Sequence, residues 1–80
     1  MKMPRDINAG ALIKSLKIYG YSITRQSGSH IRLSTEKNGQ HHITIPNHDP
    51  IKIGTLSAIL SDVAAHFNKT KEVVITEIFI

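Results

Sequence analysis

The sequence predicts an α+β fold in which one helix is followed by three antiparallel strands and a second helix. Apolar residues recur with a helical period near residues 9–19 and again near residues 56–67, and between these segments the period changes to two. Glycine, asparagine and proline mark turns in that middle part. Because each element has one apolar side, we expect both long helices to cover the same face of a three-stranded antiparallel sheet.

The first helix is indicated by an apolar stripe with spacings of three and four residues. Its members are Ala9, Leu12, Ile13, Leu16 and Tyr19. Asn8 precedes the stripe and is a suitable N-cap, because its side-chain oxygen can accept a hydrogen bond from a free amide of the first turn. Gly20 follows the stripe at a position that often requires a positive φ angle, so the helix is expected to end there.

Three strands are predicted where apolar and polar residues alternate, at about residues 21–26, 30–35 and 41–45. Ser27 and Gly28 form the first turn, an Asn-Gly pair marks the second, and Pro46 ends the third strand because it has no amide to donate. The apolar members are expected to face the helices: Tyr21, Ile23, Ile31, Leu33, Ile43 and Ile45. The polar members are expected to form an open face: Thr24, Gln26, His30, Arg32, Ser34, His42 and Thr44.

The second helix is predicted from Gly54 or Thr55 to about Asn68. Its stripe consists of Leu56, Ile59, Leu60, Val63 and Phe67. Residues 69–80 combine strong β propensity with a good N-cap, Thr70, and with apolar pairs four residues apart. We predict a short third helix there. The alternative is a strand at a sheet edge or at a dimer interface.

The charge of the chain is concentrated in its first half. The net charge is +4, but residues 1–35 carry six Lys and Arg against one Asp, a net charge of +5, and no Asp or Glu occurs between residues 7 and 35. Residues 36–80 carry four Lys against five Asp and Glu, a net charge of −1. Neutralising phosphates releases counterions, so this distribution favours a nucleic-acid partner, with an ordinary basic surface as the alternative.

Composition excludes several classes of protein. The 80 residues fit one domain, and 40% hydrophobic with 20% charged residues is typical of neither a disordered nor a fibrous chain. The absence of cysteine excludes disulfides, thiolate metal sites and a cysteine nucleophile. No apolar run approaches the roughly 20 residues of a membrane span, and residues 1–10 lack the apolar segment of a signal peptide. We therefore expect a cytoplasmic protein without membrane association.

His30 is the strongest candidate for catalysis. It follows Gly28 and Ser29 at the start of the second strand. Histidine ordinarily titrates near pH ~6.5, so it can take and give a proton near neutrality. Glycine allows close approach of the backbone, and consecutive turn amides can bind an anion. The alternative is an exposed histidine with no catalytic role.

Four further residues are candidates for binding phosphate. Lys52 and Thr55 lie where the second helix begins, and free amides at a helix N-terminus bind anions. Arg25 and Arg32 lie on strands beside His30 and offer guanidinium groups to phosphate. For each of them the alternative is an ordinary cap or a solvated surface charge.

Neither a metal nor an organic cofactor is expected. His41 and His42 are adjacent in a strand, so they point to opposite faces and cannot both bind one ion. No cysteine is present, and of the nearby residues only Asp49 is acidic. His66 lies near the end of the second helix, and we interpret it as structural or exposed.

Several short motifs occur in a fixed order between about residues 6 and 67. They are Leu12-Ile13-Lys14-Ser15-Leu16, Gly20-Tyr21, Arg25-Gln26-Ser27-Gly28-Ser29-His30, Ile43-Thr44-Ile45-Pro46, His48, Lys52-Ile53-Gly54-Thr55-Leu56 and Ile59-Leu60. In this order they resemble the HicA (YcfA-like) toxin family. The resemblance implies one HicA-like domain over residues 1–80, with residues 68–80 as a C-terminal extension, and a fold similar to double-stranded-RNA-binding domains.

The resemblance also implies an activity and a partner. Members of the family are mRNA interferases of type II toxin–antitoxin systems, which are endoribonucleases that act without the ribosome. His30 matches the family's catalytic histidine, which a HicB antitoxin blocks. Many members carry a second histidine directly after the first, where this sequence has Ile31. A lysine, an arginine or water must then take the other role in proton transfer, and His42, His48 and Lys52 are the nearest candidates by topology.

The expected function is therefore metal-independent cleavage of mRNA by a toxin that a HicB-like antitoxin holds in check. Two alternatives remain open on the sequence. One is a non-catalytic RNA-binding module that uses the same basic surface. The other is a protein-interaction domain whose basic face meets an acidic partner.

Overall fold

A computed structural model describes residues 6–79 and contains a helix, three strands and two further helices in that order. The strands form one antiparallel sheet with the spatial order β1-β2-β3. Lys2 and Arg5 of the basic half, the rest of the N-terminal stretch through residue 5, and Ile80 lie outside the described residues. The elements are α1 (Ala9–Leu16), a 3₁₀ turn (Lys17–Tyr19), β1 (Ser22–Ser27), β2 (His30–Thr35), β3 (His41–Pro46), α2 (Ile53–His66) and α3 (Lys71–Phe79). The predicted α+β fold is confirmed.

One apolar core joins a single face of the sheet to all three helices. In β2 and β3 every second residue is buried, and the residues between them are exposed or half-buried. The sheet contributes Ile31, Leu33, Ile43 and Ile45 to this core. The helices contribute Ala9, Leu12, Ile13, Leu16, Leu56, Ile59, Leu60, Val63, Ala64, Val74, Ile75 and Ile78. The helices therefore cover the same face, as predicted, and the opposite face of the sheet is open.

The first helix begins as the sequence indicates and ends in a tighter turn. The side-chain oxygen of Asn8 accepts a hydrogen bond from the amide of Ala11 at 2.8 Å, which satisfies one free donor of the first turn. The last residues form the 3₁₀ turn, and Gly20 ends it with a left-handed φ of 82°. The predicted N-cap and the predicted terminating glycine are both confirmed.

Thr35 ties the end of β2 to the end of this turn. Its buried hydroxyl donates to the carbonyl of Tyr19 at 2.8 Å and accepts from the amide of Lys37 at 3.1 Å. A Cβ atom on Gly20 would lie 2.8 Å from the same hydroxyl oxygen. Glycine is therefore required here both for its φ angle and for the close approach of Thr35.

β1 departs from the alternation expected of it. All six of its residues are exposed, and the pairing register with β2 shifts between Ile23 and Arg25. Ile23 lies opposite Leu33, yet 52% of Ile23 is exposed, because α2 packs against β3 at the other edge of the sheet. The prediction that Ile23 joins the core is therefore wrong, whereas Tyr21, just before the strand, is buried.

The register shift also reverses the two sides of β1. Beyond it, Arg25 lies opposite Arg32 and Gln26 lies opposite Ile31. Directly opposed residues share a face of a sheet, so Arg25 lies on the open face and Gln26 on the face of the core. The sequence prediction placed Gln26 on the open face, which is wrong because one extra residue in β1 changes the parity of the strand.

Residues 71–79 form a helix, α3, and not the strand that was the alternative for this segment. The hydroxyl of Thr70 accepts a hydrogen bond from the amide of Val73 at 3.2 Å, so the predicted N-cap is confirmed. Val74, Ile75 and Ile78 are buried in the common core. Burial of one apolar side against α2 and α1 therefore outweighs the β propensity of these residues.

Tyr19, Glu77 and Lys69 connect α3 to the end of the first helical segment. The Glu77 carboxylate accepts hydrogen bonds from the Tyr19 hydroxyl and from the Lys69 ammonium, the latter at 2.6 Å. Burial, followed by the hydrogen bond to Glu77, raises the pKa of Tyr19 well above its usual value. The hydrogen bond from Lys69, followed by that from Tyr19, lowers the pKa of Glu77.

We expect Glu77→Gln to be less stable than the parent chain at neutral pH, with a difference that disappears in acid. A carboxylate whose pKa is lowered by folding stabilises the fold above its ordinary pKa of 4.5, and this contribution is lost as the pH falls through the folded-state pKa. Urea unfolding at a series of pH values measures the difference. Glu72→Gln removes a carboxylate from the same helix as a control, and a Glu77 effect that does not change between neutral and acid pH would contradict the prediction.

We expect Gly20→Ala to destabilise the fold more than Gly28→Ala. Both glycines have positive φ angles, 82° and 56°, which L side chains rarely adopt, so both alanines are strained. Only at Gly20 does the new Cβ also meet a buried atom, whereas at Gly28 nothing lies within 4 Å. Overpacking typically adds about 1–3 kcal/mol. Equal free energies of unfolding for the two variants would mean that Thr35 does not restrict the space at Gly20.

Candidate nucleic-acid interface

One end of the sheet brings together the turn before β2 and the loop after β3. His30, the first residue of β2, lies opposite Pro46, the last residue of β3. Just beyond this pair, the amide of Asn47 donates to the carbonyl of Ser29 at 2.6 Å. The turn at residues 28–29 and the loop at residues 47–50 therefore lie side by side.

The turn before β2 is short and open. Ser27 pairs with His30, which leaves Gly28 and Ser29 as its two central residues. Gly28 has a φ of 56° and Ser29 does not have a positive φ, which is the pattern of a type II′ turn. Because no atom of residues 6–79, apart from the chain neighbours of Gly28, lies within 4 Å of a Cβ built on it, a ligand can approach the backbone closely at this point.

The His30 side chain is exposed on the open face of the sheet. Its cross-strand neighbours are Ser27 and Pro46. The imidazole makes no hydrogen bond or ion pair with any residue between 6 and 79. Both of its ring nitrogens are therefore available to a ligand.

His48 and Lys52 lie in the segment that leads from this end of the sheet into α2. The amide of His48 donates to the carbonyl of Pro46 at 2.9 Å, which starts the loop as a tight turn. Ile51 anchors the other end of the loop, because its side chain is buried and its amide donates to the carbonyl of Ile7 at 2.8 Å. His48 and Lys52 are themselves exposed.

The N-terminus of α2 lies at the same end of the sheet as His30. Lys52 is its N-cap, with an extended backbone and no capping hydrogen bond from its side chain, and the first turn contains no acidic residue. α2 begins at Ile53, one residue before the predicted start, and Thr55 is half-buried within its first turn. The first amides of a helix lack intrahelical partners, and the helix dipole favours an anion beside them.

Arg25 and Arg32 form the next row of the open face. They are direct cross-strand partners, and Thr44 of β3 lies opposite Arg32 on the other side. Arg32 is two residues from His30 along β2, which corresponds to about 6.8 Å. The three strands contain no Asp or Glu, so this face has no built-in counterion of its own.

His42 is held away from His30. It lies opposite Ser34, and its Nδ1 atom is 2.5 Å from the Ser34 hydroxyl, which is in turn 2.9 Å from the hydroxyl of Thr24. Ser34 is four residues from His30 along β2, or about 14 Å. Of the three groups considered as helpers for His30, the structure brings His48 and Lys52 to its end of the sheet and keeps His42 away from it.

The other end of the sheet contains a histidine cluster that sequence reasoning did not find. The rings of His41 and His66 stack with their centroids 4.3 Å apart. His41 Nδ1 lies 2.7 Å from the hydroxyl of Tyr21, and His41 Nε2 lies 3.2 Å from the carboxylate of Asp62. Burial, followed by the charge of Asp62, raises the pKa of Tyr21 to about 12. At neutral pH this hydroxyl is protonated, so it is a hydrogen-bonding group and not a nucleophile.

His66 fastens the β2–β3 loop to the end of α2. Its Nε2 atom donates to the carbonyls of Lys37 and Gly39 at 2.9 and 3.0 Å, and the Asn38 amide donates back to the carbonyl of His66 at 2.7 Å. Between the two interpretations left open for His66, structural or exposed, these contacts favour the structural one.

Comparison with known proteins identifies the family. The family model of the HicA toxin of bacterial toxin–antitoxin systems matches residues 11–64, more than half of the chain. The protein is a toxin of the HicA family. No curated protein and no solved structure matches the chain. Within residues 6–79, no helix is long and apolar enough to cross a membrane, and no group of three or more His, Cys, Asp or Glu could hold a metal ion.

We expect His66→Ala to lower the free energy of unfolding by about 0.5–1.5 kcal/mol, because two exposed carbonyls of the hairpin loop exchange their donor for water. Chemical denaturation measures the change. His48→Ala is the matched control, since His48 is exposed in a loop and surface substitutions usually change stability by less than about 0.5 kcal/mol. Equal stability of the two variants would show that the His66 contacts do not hold the loop.

Proposed function

We propose that this toxin is an endoribonuclease, an mRNA interferase of a type II toxin–antitoxin system, with His30 as its catalytic residue. The observation that carries the proposal is an exposed imidazole with no partner among the described residues, placed on a face that contains no carboxylate. The position of this histidine also matches the catalytic histidine that the family resemblance implies.

His30 would act by transferring a proton at the scissile phosphate. As the neutral imidazole it takes a proton from the attacking hydroxyl or water, while the new P–O bond forms. As the imidazolium it gives a proton to the 5′ oxygen as the old P–O bond breaks. General acid or base catalysis of this kind contributes about 10²–10⁴-fold to the rate.

A second group is needed, because one imidazole cannot take and give a proton in the same step. His48 and Lys52 are the better candidates, since both lie in the segment that leaves the sheet at the His30 end. His42 is the weaker one, because its ring is engaged by Ser34 about 14 Å along the sheet. Loss of either of the first two should therefore slow cleavage more than loss of His42.

The substrate's phosphates would be held by groups around His30. The turn of Gly28 and Ser29 offers backbone amides, Lys52 and Thr55 open the N-terminus of α2, and Arg25 and Arg32 supply guanidinium groups. These contacts need no metal or organic cofactor. They are independent of base identity, and no Phe, Tyr or Trp lies on β1, β2 or β3 to stack a base.

The antitoxin partner is proposed to be a HicB-like protein that covers His30. A partner seated on the open end of the sheet would exclude RNA by occupying the same exposed groups. We also propose that the chain acts as one domain in the cytoplasm. The succession of one helix, three antiparallel strands and a second helix supports the likeness to double-stranded-RNA-binding domains.

We expect His30→Ala to abolish cleavage of mRNA by the purified protein and to abolish growth arrest, with no change in the free energy of unfolding. Cleavage by the parent chain should persist in EDTA. Gln26→Ala is the control, because it removes an exposed polar side chain of the neighbouring strand on the other face of the sheet. Full cleavage by His30→Ala would overturn the catalytic assignment.

The same purified protein, assayed for RNA binding as well as cleavage, distinguishes the two alternative functions. RNA binding without cleavage, retained in His30→Ala, would identify a non-catalytic RNA-binding module. No RNA affinity at physiological salt would instead identify a protein-interaction domain, whose basic face binds an acidic partner.

A further inference from the structure

We propose that Arg25 and Arg32 act together as a clamp on a single phosphate of a single-stranded RNA. In this arrangement the RNA strand runs over the open face of the sheet alongside β2, from His30 towards Ser34. The proposal rests on the proposed function in one respect, namely that RNA is the substrate. It adds the path of that RNA and the way in which two residues share one contact.

The first observation is a pair of like charges at a paired position. Arg25 and Arg32 are direct cross-strand partners, and both are exposed. Like charges directly opposite each other on a sheet are destabilising. The two ion pairs of residues 6–79 involve other residues, and no strand of the sheet carries a carboxylate. An anion bound between the two guanidinium groups would remove the repulsion and satisfy both.

The second observation is that a backbone irregularity produces this pair. Ile23 lies opposite Leu33 on the core side, and strict alternation would place Arg25, two residues later, on that same side. The register shift between Ile23 and Arg25 turns the arginine to the open face instead. Bulges of this kind are known to re-aim side chains next to functional sites.

The third observation is the order of groups along β2. His30, Arg32 and Ser34 follow one another on the open face at intervals of about 6.8 Å. This interval is about twice the 3.4 Å rise per nucleotide of one strand of duplex DNA, so on a similarly stacked RNA strand the clamp would hold a phosphate about two linkages from the one at His30. Beyond the clamp, the hydroxyls of Ser34 and Thr24 continue the line with further hydrogen-bonding groups.

This line of contacts fits one RNA strand better than a duplex. The groups follow a single row along the central strand of the sheet, as one sugar–phosphate backbone would. Single-stranded binding usually adds stacking of bases on aromatic side chains, and these three strands contain no Phe, Tyr or Trp. The clamp is therefore expected to bind through charge, with little preference for sequence.

The test measures binding of a labelled single-stranded RNA oligomer to the full chain carrying His30→Ala, which prevents cleavage. Arg25→Ala, Arg32→Ala and the double variant are added to this background, and Kd is measured by fluorescence anisotropy over a series of salt concentrations. Lys14→Ala is the matched control, because it removes one exposed positive charge from α1. We expect less than about a twofold change in Kd for this control.

If both arginines bind one phosphate, their substitutions should cause non-additive losses of RNA affinity. Each single variant is expected to weaken binding about tenfold, and the double variant about as much as either single one. The slope of log Kd against log salt should decrease by about 0.7, the value for one phosphate of a single strand, in all three. Multiplicative losses, with a slope change of about 1.4 in the double variant, would mean two separate phosphate contacts and would overturn the clamp.

A second measurement locates the phosphate. A set of oligomers carries one neutral methylphosphonate linkage, moved step by step along the strand. At the clamped linkage the neutral group should weaken binding to the protein with both arginines, and it should have no further effect on the double variant. Equal sensitivity of the two proteins at every linkage would also overturn the clamp.

Cleavage by the chain with His30 intact, measured in parallel, separates this inference from the proposed function. Non-additive losses of RNA affinity in the arginine variants, together with no cleavage by the chain with His30 intact, would support the clamp and contradict the catalytic role of His30. Arginine variants that bind RNA normally but no longer bind the antitoxin would assign the pair to the protein partner and overturn the inference. Absence of RNA binding would overturn the clamp, and absence of both binding and cleavage would overturn the proposed function as well.

Discussion

The central position of β2 is the constraint on which the rest of this structure depends. β2 is paired on both sides, so its register fixes the positions of β1 and β3 as well as its own. Its alternation sends Ile31 and Leu33 into the core that joins the helices, and the same alternation must send Arg32 and Ser34 to the other side. A slip of one residue would bury polar groups and expose apolar ones, so core and site cannot change independently.

The two ends of β2 serve different purposes. At its start, the turn, the loop after β3 and the N-terminus of α2 leave exposed polar groups and free amides around His30. At its end, Thr35 binds the 3₁₀ turn, and the loop that follows is held by His66 of α2. Stabilising hydrogen bonds are thus concentrated at the end remote from the candidate site. This division lets the site keep unpaired groups without weakening the fold around them.

The features that the sequence could predict are those set by interactions between residues close together in the chain. The stripes of α1 and α2, the capping roles of Asn8 and Thr70 and the turn at Gly28 each depend on residues a few positions apart, and each was predictable. His30 was identified by the same kind of local pattern together with a family resemblance, and its catalytic role is still a prediction.

Contacts between distant residues explain what the sequence could not predict. The partners of His41 and His66 lie 20 to 29 residues away, so no short pattern joins them. The extra residue in β1 has no signal in composition, and it changes the face of both Arg25 and Gln26. For α3, propensity and capping disagreed, and burial against the common core decided between them.

The bulged edge strand has a consequence for the toxin when it is alone. Among residues 6–79 β1 has no neighbour on its outer side, and an unpaired edge is a template on which a second chain can add a strand. A bulge and an inserted positive charge interrupt such a template, and β1 has both at the position of Arg25. The bulge beside Arg25 and the charge of this residue are therefore features that disfavour edge-to-edge pairing of two copies of the chain.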